Sequence, residues 1–387
     1  MKGTNIIPSK IKNYLTSTPK LETPTLIFDL DILKKKYKDY KKNFSNIEVY
    51  YAVKANPAPQ ILKTLYKLGS CFDVASMEEA EICLNLGIPP EKISWGSTIK
   101  KANLIKEAYN KGIRLYAFDS EEELHKIAEN APNSKVFCRI LVNNSNALWP
   151  LAAKFGCSTE MAEELLIKAK ELGLTSYGIS FHVGSQQIDL DAWDAAISLS
   201  AKVYFNLKDN HNIKLNMLNI GGGYPAYGYL TSHRSIRHYK QHIYDSLKQH
   251  FFDEEIELIA EPGRFLVADA GVIVSEVVLV SKKYQEDEER WVYLDVGLFG
   301  GLAETMGESI KYKILTTKDT DKNLGKVNLA GPTCDGTDIL YKEFKQKMPM
   351  SLKSGDYVYI LSTGAYTTTY SSIGFNGFQP LKELYLD

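Results

Sequence analysis

Polar residues with complementary chemistry follow several short apolar runs of this chain. Lys54 ends the run VYYAVK, His182 ends SYGISFH, and Glu261 directly follows ELIA. A lysine held among cationic groups has a depressed pKa, which suits Schiff-base formation with an aldehyde. A carboxylate can keep a heterocyclic nitrogen protonated, and an imidazole can stack on a flat ring. Together the three residues fit an aromatic aldehyde cofactor.

A phosphate group on that cofactor would also find ligands. The glycine triplet Gly221–Gly223 follows the run MLNI, and glycines let backbone N–H groups approach an anion closely. Arg139 and Arg264 could add charge-assisted hydrogen bonds to phosphate. Taken singly, each of these residues is more often a surface, structural or turn residue. A reactive lysine, partners for a ring and ligands for a phosphate together describe a pyridoxal-phosphate site.

The elements that would position these residues alternate between β-prone runs and segments with helical apolar spacing, such as Glu121–Glu129 and Met161–Leu172. Alternating β and α elements predict a parallel sheet, and eight units predict a closed (β/α)8 barrel of the TIM type. Chemistry in such a barrel lies at the carboxyl ends of the strands, where the polar residues fall. The eight predicted strands are Val49–Lys54, Cys71–Val74, Ile93–Trp95, Leu115–Phe118, Lys135–Leu141, Ser176–His182, Met217–Ile220 and Glu257–Ala260.

The pattern changes after about residue 265, where β-prone runs follow one another with few helical stretches between them. This predicts an antiparallel β domain that also takes up an N-terminal strand, Thr25–Phe28. We therefore predict a barrel over 30–265 and a β domain built from 1–29 and 266–387. The predicted C-terminal strands are Gly271–Ser281, Trp291–Asp295, Lys311–Leu315, Lys326–Ala330 and Tyr357–Leu361.

Composition narrows the possible partners. With 46 basic and 47 acidic residues among 387, the chain has no charge surplus to attract nucleic acid or an anionic membrane. No apolar stretch reaches the roughly 20 residues that span a bilayer, and the N-terminus lacks the apolar core of a signal peptide. Five scattered cysteines without a CxxC pair argue against a disulfide framework or a metal site. A cytoplasmic location is the expectation.

Seven motifs in order carry a family resemblance. The chain strongly resembles eukaryotic-type ornithine decarboxylases, which are pyridoxal-phosphate enzymes of fold type III with an alanine-racemase-like fold. The match extends from about residue 25 to the end of the chain. The resemblance implies decarboxylation of L-ornithine to putrescine and CO₂, with pyridoxal 5′-phosphate as the cofactor. The motifs are YYAVKANP, FDVAS, SFHVGS, GGGYP, AEPGRF, GPTCDGTDIL and GAYT…FNGF.

The resemblance also implies roles for single residues. Lys54 is expected to hold the cofactor, Glu261 to contact the pyridine nitrogen and His182 to stack on the ring. Asp73 and Arg139 are expected to lie close to Lys54 and the ring. The phosphate is expected to be bound by Ser185, Gly222, Gly223, Gly263, Arg264 and Tyr366.

Substrate recognition and the dimer are expectations of the same kind. Cys334, the implied proton donor to Cα, and Asp335 would lie across a homodimer interface and complete the partner's site. The distal ammonium of a basic amino acid needs a carboxylate. Asp335 is one candidate for this role, and Phe375 is a further substrate-binding candidate. Glu308 falls where the family usually has aspartate, Glu304 is its rival, and Phe299 replaces a frequent tyrosine.

Other activities stay open at this point. A lysine or dual lysine/ornithine decarboxylase is the nearest alternative, followed by arginine and diaminopimelate decarboxylases. An alanine racemase would pair the ring nitrogen with arginine, whereas this chain offers Glu261. A non-catalytic homologue that binds a regulatory protein would have lost cofactor contacts that this chain keeps.

Overall fold

The computed structural model describes residues 6–18, 20–142, 147–149, 154–230, 234–252 and 254–387. The chain divides into two compact units. The barrel unit comprises 37–225 and 233–263, and the β unit comprises 1–36, 226–232 and 264–387. Segment 226–232, which lies within the range expected for the barrel, thus belongs to the β unit.

Eight parallel strands close into a barrel in the first unit, which confirms the predicted fold class. Each strand pairs with the next one along the chain, and the last, Glu257–Ala260, pairs with the first, Ile47–Ala52. The strands are Ile47–Ala52, Cys71–Val74, Ile93–Trp95, Leu115–Phe118, Lys135–Arg139, Thr175–Ser180, Met217–Asn219 and Glu257–Ala260. We number them one to eight. The sixth strand ends at Ser180, so His182 lies beyond it rather than within it as predicted.

Helices connect the barrel strands, and local chemistry explains several of their ends. Ser76 precedes one helix and accepts a hydrogen bond from the N–H of Glu79, which satisfies a free donor of the first turn. Asn212 adopts a left-handed conformation (φ 51°) directly after the longest helix. The barrel-unit helices are Pro59–Lys67, Met77–Asn85, Ala102–Asn110, Glu121–Asn130, Thr159–Glu171, Asp191–His211 and Ile236–Phe251. Within the part of the chain that the structure describes, no helix has both the length and the apolar character to cross a membrane.

The β unit contains an eight-stranded sheet, and Thr25–Asp29 joins it as the sequence predicts. Most neighbours are antiparallel, but Thr25–Asp29 with Lys382–Leu386 and Arg290–Leu294 with Leu324–Ala330 are parallel pairs. Helix Ser9–Ser17 packs Ile11 against Ile27 and Val272 of the sheet. Helix Leu30–Asn43 leads from the first strand into the barrel unit, and the short helix Arg264–Val267 leads back. The strands are Thr25–Asp29, Gly271–Ser281, Arg290–Leu294, Ile314–Thr316, Leu324–Ala330, Gln346–Pro349, Tyr357–Leu361 and Lys382–Leu386.

Four short strands have no counterpart in the sequence prediction. Gln346–Pro349 and Lys382–Leu386 lie at sheet edges and carry polar or charged residues, so they lack the apolar alternation that marks a strand. Ala147–Trp149 and Ser185–Gln187 form a separate two-stranded ladder. Their pairing depends on a contact between distant parts of the chain, which a local pattern does not reveal.

Candidate active site

The barrel interior contains a layer of apolar residues directly below the candidate site. Six strands each contribute one buried residue to this layer: Tyr50, Cys71, Ala117, Phe137, Met217 and Ile259. Side chains two residues apart on a strand face the same side. Two residues further along the chain stand Asp73, Arg139, Asn219 and Glu261. The layer above the apolar one, towards the carboxyl ends of the strands, is therefore polar and ionisable.

Lys54 lies in the single helical turn Val53–Ala55 that follows the first strand. Its Nζ is 3.9 Å from Oδ2 of Asp73, at the end of the neighbouring strand. The Lys54 side chain is 44% exposed, whereas that of Asp73 is 3% exposed. An accessible amine thus stands beside a buried carboxyl group.

The carboxyl group of Asp73 is tightly enclosed. Ser94 on the third strand donates a hydrogen bond of 3.0 Å to its Oδ1. A Cβ atom on Gly96 would lie 2.1 Å from the same oxygen, so any side chain there would displace the carboxyl group. Burial, and then the charge of nearby Glu261, raises the pKa of Asp73 well above its usual value, against the opposing effect of Lys54.

His182 presents a neutral ring. The backbone N–H of Gly184 donates to its Nδ1 at 3.0 Å, so this nitrogen is an acceptor. Burial, followed by the positive charges of Arg139 and Lys54, lowers the pKa of His182 well below its usual value. A neutral imidazole in this position can stack on an aromatic ring without adding charge to it.

The glycine triplet packs directly on these residues. Gly221 and Gly223 have φ values of 66° and 101°, which favour glycine. A Cβ on Gly222 would lie 2.7 Å from the carbonyl oxygen of Glu261 and 3.2 Å from Nε2 of His182. Because glycine has no Cβ atom, the backbone of the loop lies closer to Glu261 and His182 than it could with any other residue type.

Glu261 has a partner that our sequence analysis missed. Nδ2 of Asn219 donates to its Oε1 at 2.5 Å. Asn219 ends the seventh strand and is 2% exposed. The available signal was its spacing of two residues from the buried Met217, on the strand that leads into the glycine triplet.

The remaining predicted residues of the barrel unit include Arg139, Ser185 and Gly263. The charges of Glu261 and Asp73 act on Arg139, although burial, the largest influence, lowers the pKa of its guanidinium. Ser185 begins the strand that pairs with Ala147–Trp149. Gly263 is buried, two residues after Glu261. Contacts and electrostatic interactions link Lys54, Asp73, Arg139, His182, Gly222 and Glu261. Ser185, Gly223 and Gly263 are near neighbours of these residues along the chain.

In the β unit, Arg264 and Tyr366 are brought together around a buried ion pair. The guanidinium of Arg264 lies 4.6 Å from the centre of the Tyr366 ring. Both carboxylate oxygens of Glu304 accept hydrogen bonds from Arg264 at 2.5 Å, and Tyr229 Oη lies 3.2 Å from Nη1 of the same arginine. Glu304, a candidate for the substrate ammonium, is therefore paired with Arg264 in this chain.

Glu308, the other glutamate candidate, is also engaged by its own chain. Its Oε1 accepts hydrogen bonds from the backbone N–H groups of Glu343 (2.6 Å) and Phe344 (2.9 Å). Lys311 Nζ lies 3.9 Å from its other oxygen. This carboxylate fixes a turn of the β unit.

Cys334, Asp335 and Phe375 lie close together in the β unit, where Cys334 and Phe375 are exposed and Asp335 is half-buried. The backbone N–H of Cys334 donates to Oδ1 of Asn376 at 2.9 Å, which ties the thiol segment to the residue after Phe375. Thr337 donates to Oδ1 of Asp335 through its hydroxyl and its backbone N–H. The rings of Phe375 and Phe299 lie 4.7 Å apart. The thiol and the carboxylate are thus accessible at the surface of the single chain.

The barrel rim has the donor set that pyridoxal phosphate requires. It offers an exposed amine, a neutral imidazole, a carboxylate with a fixed orientation and a glycine loop whose backbone cannot be blocked by side chains. The protein supplies binding, orientation and electrostatics to such a cofactor, which itself carries the difficult chemistry. The residues present fit the group.

Comparison with known proteins agrees with this chemistry. Residues 30–268 match the family described as "Pyridoxal-dependent decarboxylase, pyridoxal binding domain". The chain is 34% identical over 367 residues to a lysine/ornithine decarboxylase of Selenomonas ruminantium, covering 95% of this chain and 90% of that protein. It is 33% identical to an ornithine decarboxylase of Schizosaccharomyces pombe, covering 88% of this chain and 78% of that protein.

Solved structures show the same architecture. A mutant of the protein abbreviated SrLDC, in complex with pyridoxal phosphate, superposes with a TM-score of 0.88 and 32% identity, covering 100% of this chain and 97% of that chain. The arginine decarboxylase of Paramecium bursaria Chlorella virus superposes with a TM-score of 0.88 and 29% identity, covering 98% and 100%. This chain belongs to the pyridoxal-dependent decarboxylases of fold type III. It is a pyridoxal-phosphate enzyme of the branch that decarboxylates basic amino acids, which confirms the predicted family and cofactor.

Proposed function

We propose that this enzyme decarboxylates L-ornithine to putrescine and CO₂. The observation that carries the proposal is that Lys54 and Glu261 lie on the same barrel rim. The buried carboxyl group of Asp73 interacts with both of them, because it lies beside Lys54 Nζ and feels the charge of Glu261. Relatives named ornithine decarboxylase and lysine/ornithine decarboxylase support a cationic substrate tail.

We assign the residues of the rim as follows. Bound pyridoxal phosphate supplies an electron sink for the charge left on Cα when CO₂ departs, provided that its ring nitrogen stays protonated. Glu261 holds the proton on that nitrogen, His182 covers one face of the ring, and Lys54 carries the cofactor. Asp73 and Arg139 set the charge around Lys54. Phosphate is bound by Ser185, Gly222, Gly223, Gly263, Arg264 and Tyr366.

The substrate side of the site is proposed to include a second copy of the chain. Cys334 is exposed and Asp335 is half-buried, so both can be reached by a second copy of the chain. We propose a homodimer in which Cys334 donates the proton to Cα and Asp335 binds the distal ammonium. Phe375 contributes an apolar wall for the methylene chain. Both oxygens of Glu304 are bonded to Arg264, and Glu308 is held by the backbone and Lys311. Asp335 accepts from Thr337 through Oδ1, so we assign the ammonium group to its Oδ2.

Product identification tests the substrate assignment. The purified protein with pyridoxal phosphate is incubated separately with ornithine, lysine and arginine, and the amines are separated and identified by mass. We expect putrescine to be formed with the highest kcat/KM. Cadaverine or agmatine as the preferred product would replace ornithine by lysine or arginine.

Lysine or dual lysine/ornithine decarboxylation is the second candidate. It is favoured by the lysine/ornithine decarboxylase to which the chain is 34% identical. In addition, Glu308 stands where the resemblance leads one to expect aspartate and is bonded to the backbone at 343 and 344. The residue expected to set the tail length is thus altered in this chain, which removes one reason to prefer ornithine over lysine. Equal kcat/KM values for lysine and ornithine would establish the dual activity.

A reducing compartment, the cytoplasm, is the proposed location. All five cysteines are free thiols, including Cys138 and Cys157, whose Sγ atoms lie 3.5 Å apart. Such a close pair stays reduced where thiol reductants prevail. Fractionation with an antibody against the protein tests the location, and recovery in an oxidising compartment would contradict it.

A further inference from the structure

Three hydrogen bonds join the end of the seventh strand, the glycine loop and Glu261. Asn219 Nδ2 donates to Glu261 Oε1 at 2.5 Å, and Gly221 N donates to Asn219 Oδ1 at 3.0 Å. Glu261 N donates to the carbonyl oxygen of Gly221 at 2.9 Å. The bonds form a closed ring through Asn219, Gly221 and Glu261. A displacement of any one of these residues would therefore disturb the other two.

The chemistry of the partners determines the orientation of the Asn219 amide. A carboxylate only accepts hydrogen bonds and a backbone N–H only donates, so Nδ2 must face Glu261 and Oδ1 must face Gly221. Aspartate has the same shape, but an ionised aspartate has no donor for Glu261. It would also bring a third carboxylate close to Glu261 and Asp73.

The strand register explains why the Asn219 amide lies beside Glu261. Asn219 pairs with Ile259 on the eighth strand, two residues before Glu261. Met217 and Ile259 both belong to the apolar layer of the barrel interior. Asn219 and Glu261 therefore face the same interior from adjacent strands, and Asn219 is 2% exposed.

We propose that Asn219 is a positioning residue: it holds the Glu261 carboxylate in the orientation that engages the ring nitrogen of pyridoxal phosphate and anchors the glycine loop through Gly221. The proposal rests on the role assigned to Glu261 above. The donated hydrogen bond satisfies Oε1 and leaves Oε2 for the ring. A neutral amide does this without adding charge to a rim that already carries two carboxyl groups.

Cofactor binding and spectroscopy test this role without reference to turnover. For wild type and N219D we would measure the dissociation constant of pyridoxal phosphate by titration, and the relative heights of the absorption bands of the bound cofactor. We expect N219D to weaken binding by about tenfold or more, since a charge-assisted bond to a buried carboxylate is lost. The band ratio should change as well, because the ring nitrogen loses its ordered partner.

Matched variants separate this role from general damage. Asn206 donates to Glu163 between two outer helices of the same unit, so N206D places the same change beside another glutamate. We expect N206D to keep the wild-type affinity and spectrum. N219A removes both hydrogen bonds without adding charge and replaces N219D if that variant does not fold. Wild-type affinity and spectrum in the folded N219D or N219A protein would overturn the proposal.

A double variant tests direct pairing. In N219D/E261Q the amide at position 261 can donate to the carboxylate at position 219, so the bond is restored with reversed polarity. We expect the cofactor-free double variant to recover most of the Tm that N219D loses, and strictly additive losses would contradict direct pairing. E261Q alone distinguishes the two assignments. If it leaves the cofactor spectrum unchanged, the role of Glu261 fails; if only E261Q changes the spectrum, the role of Asn219 fails.

Discussion

Single side chains at the barrel rim differ sharply in exposure and charge. Lys54 is accessible, whereas Asp73 and Asn219 are almost completely buried. The sequence identified Lys54, Asp73 and Glu261 through motifs, but it did not identify Asn219, whose importance comes from one contact across two strands. The spacing of Asn219, two residues from Met217, places it at the rim, but this local signal does not reveal its partner on the next strand.

Lys54 gives the most direct prediction at this scale. We expect Lys54→Ala to abolish the visible absorption band of the bound cofactor and to lower decarboxylation by more than about a thousandfold. Lys63→Ala, at an exposed position of a barrel helix, is the control and should behave as wild type. A visible band retained in Lys54→Ala would contradict the assignment.

Replacement of Asp73 by asparagine is expected to increase stability in a pH-dependent way. Burial and the charge of Glu261 raise the pKa of Asp73 well above its usual value. A carboxyl group whose pKa is raised by folding costs stability once the pH exceeds its unfolded pKa of about 3.9. We expect Asp73→Asn to raise the Tm of the cofactor-free protein by roughly 2 °C at neutral pH.

The relation between pKa and stability also predicts how the effect of Asp73→Asn changes with pH. The gain should shrink as the pH falls towards about 4, where the unfolded chain also becomes protonated. Asp209→Asn, at an exposed site on a helix, should show no such pH dependence. A loss of Tm for Asp73→Asn at neutral pH would show that the ion pair with Lys54 outweighs burial.

The ion pair of Arg264 and Glu304 gives a stability prediction. Both side chains are 5% exposed, and two hydrogen bonds join them. Removing one partner of a buried pair leaves an uncompensated charge, so Glu304→Gln should lower the free energy of unfolding by about 3 kcal/mol. Denaturant titration measures this. The exposed pair of Lys382 and Glu22 is the control, and Glu22→Gln should leave the unfolding curve unchanged.

The positions of the site residues follow from the alternation of side chains along the barrel strands. An apolar residue from each of six strands forms the interior layer, and the residue two positions later lies in the layer above it. The polar residues at the rim follow from this alternation, combined with the point at which each strand ends. All eight barrel strands were predictable, because each is a local apolar run.

The glycine loop gives the prediction at this scale. A Cβ on Gly222 would meet the Glu261 carbonyl oxygen at 2.7 Å, and both are backbone-constrained. We expect Gly222→Ala to weaken pyridoxal-phosphate binding by on the order of tenfold, because relieving the overlap moves the loop. Gly173 differs from Gly222 in having a positive φ of 75°, but a Cβ there meets nothing within 4 Å. Gly173→Ala should therefore lower Tm while leaving the affinity unchanged, and equal affinities for both variants would contradict the role of the loop.

At the scale of the whole molecule, the proposed homodimer would share each active site between two copies. Cys334 is exposed and Asp335 is half-buried in the single chain, which agrees with the proposed shared site. Symmetry then makes a complementation test possible, since a two-fold dimer contains two equivalent sites. Each site would take Lys54 from one copy and Cys334 from the other.

We expect Lys54→Ala and Cys334→Ala to be nearly inactive alone and to regain activity when mixed. In a heterodimer one site carries both substitutions and the other is wild type, so equal mixing should restore about a quarter of the wild-type activity. Putrescine release measures it. Absence of recovery, with subunit exchange shown by mass spectrometry, would place both residues in one chain's own site.

The sequence by itself determined the barrel, its strand order and the motif residues, including Lys54, His182 and Glu261. These depend on local periodicity and on which residue ends each strand, and both can be read along the chain. Tertiary structure alone decided that Glu304 pairs with Arg264, that Glu308 binds the backbone at 343 and 344, and that Asn219 holds Glu261. Each of these depends on which distant side chain comes within hydrogen-bond distance, and no pattern within one segment specifies that.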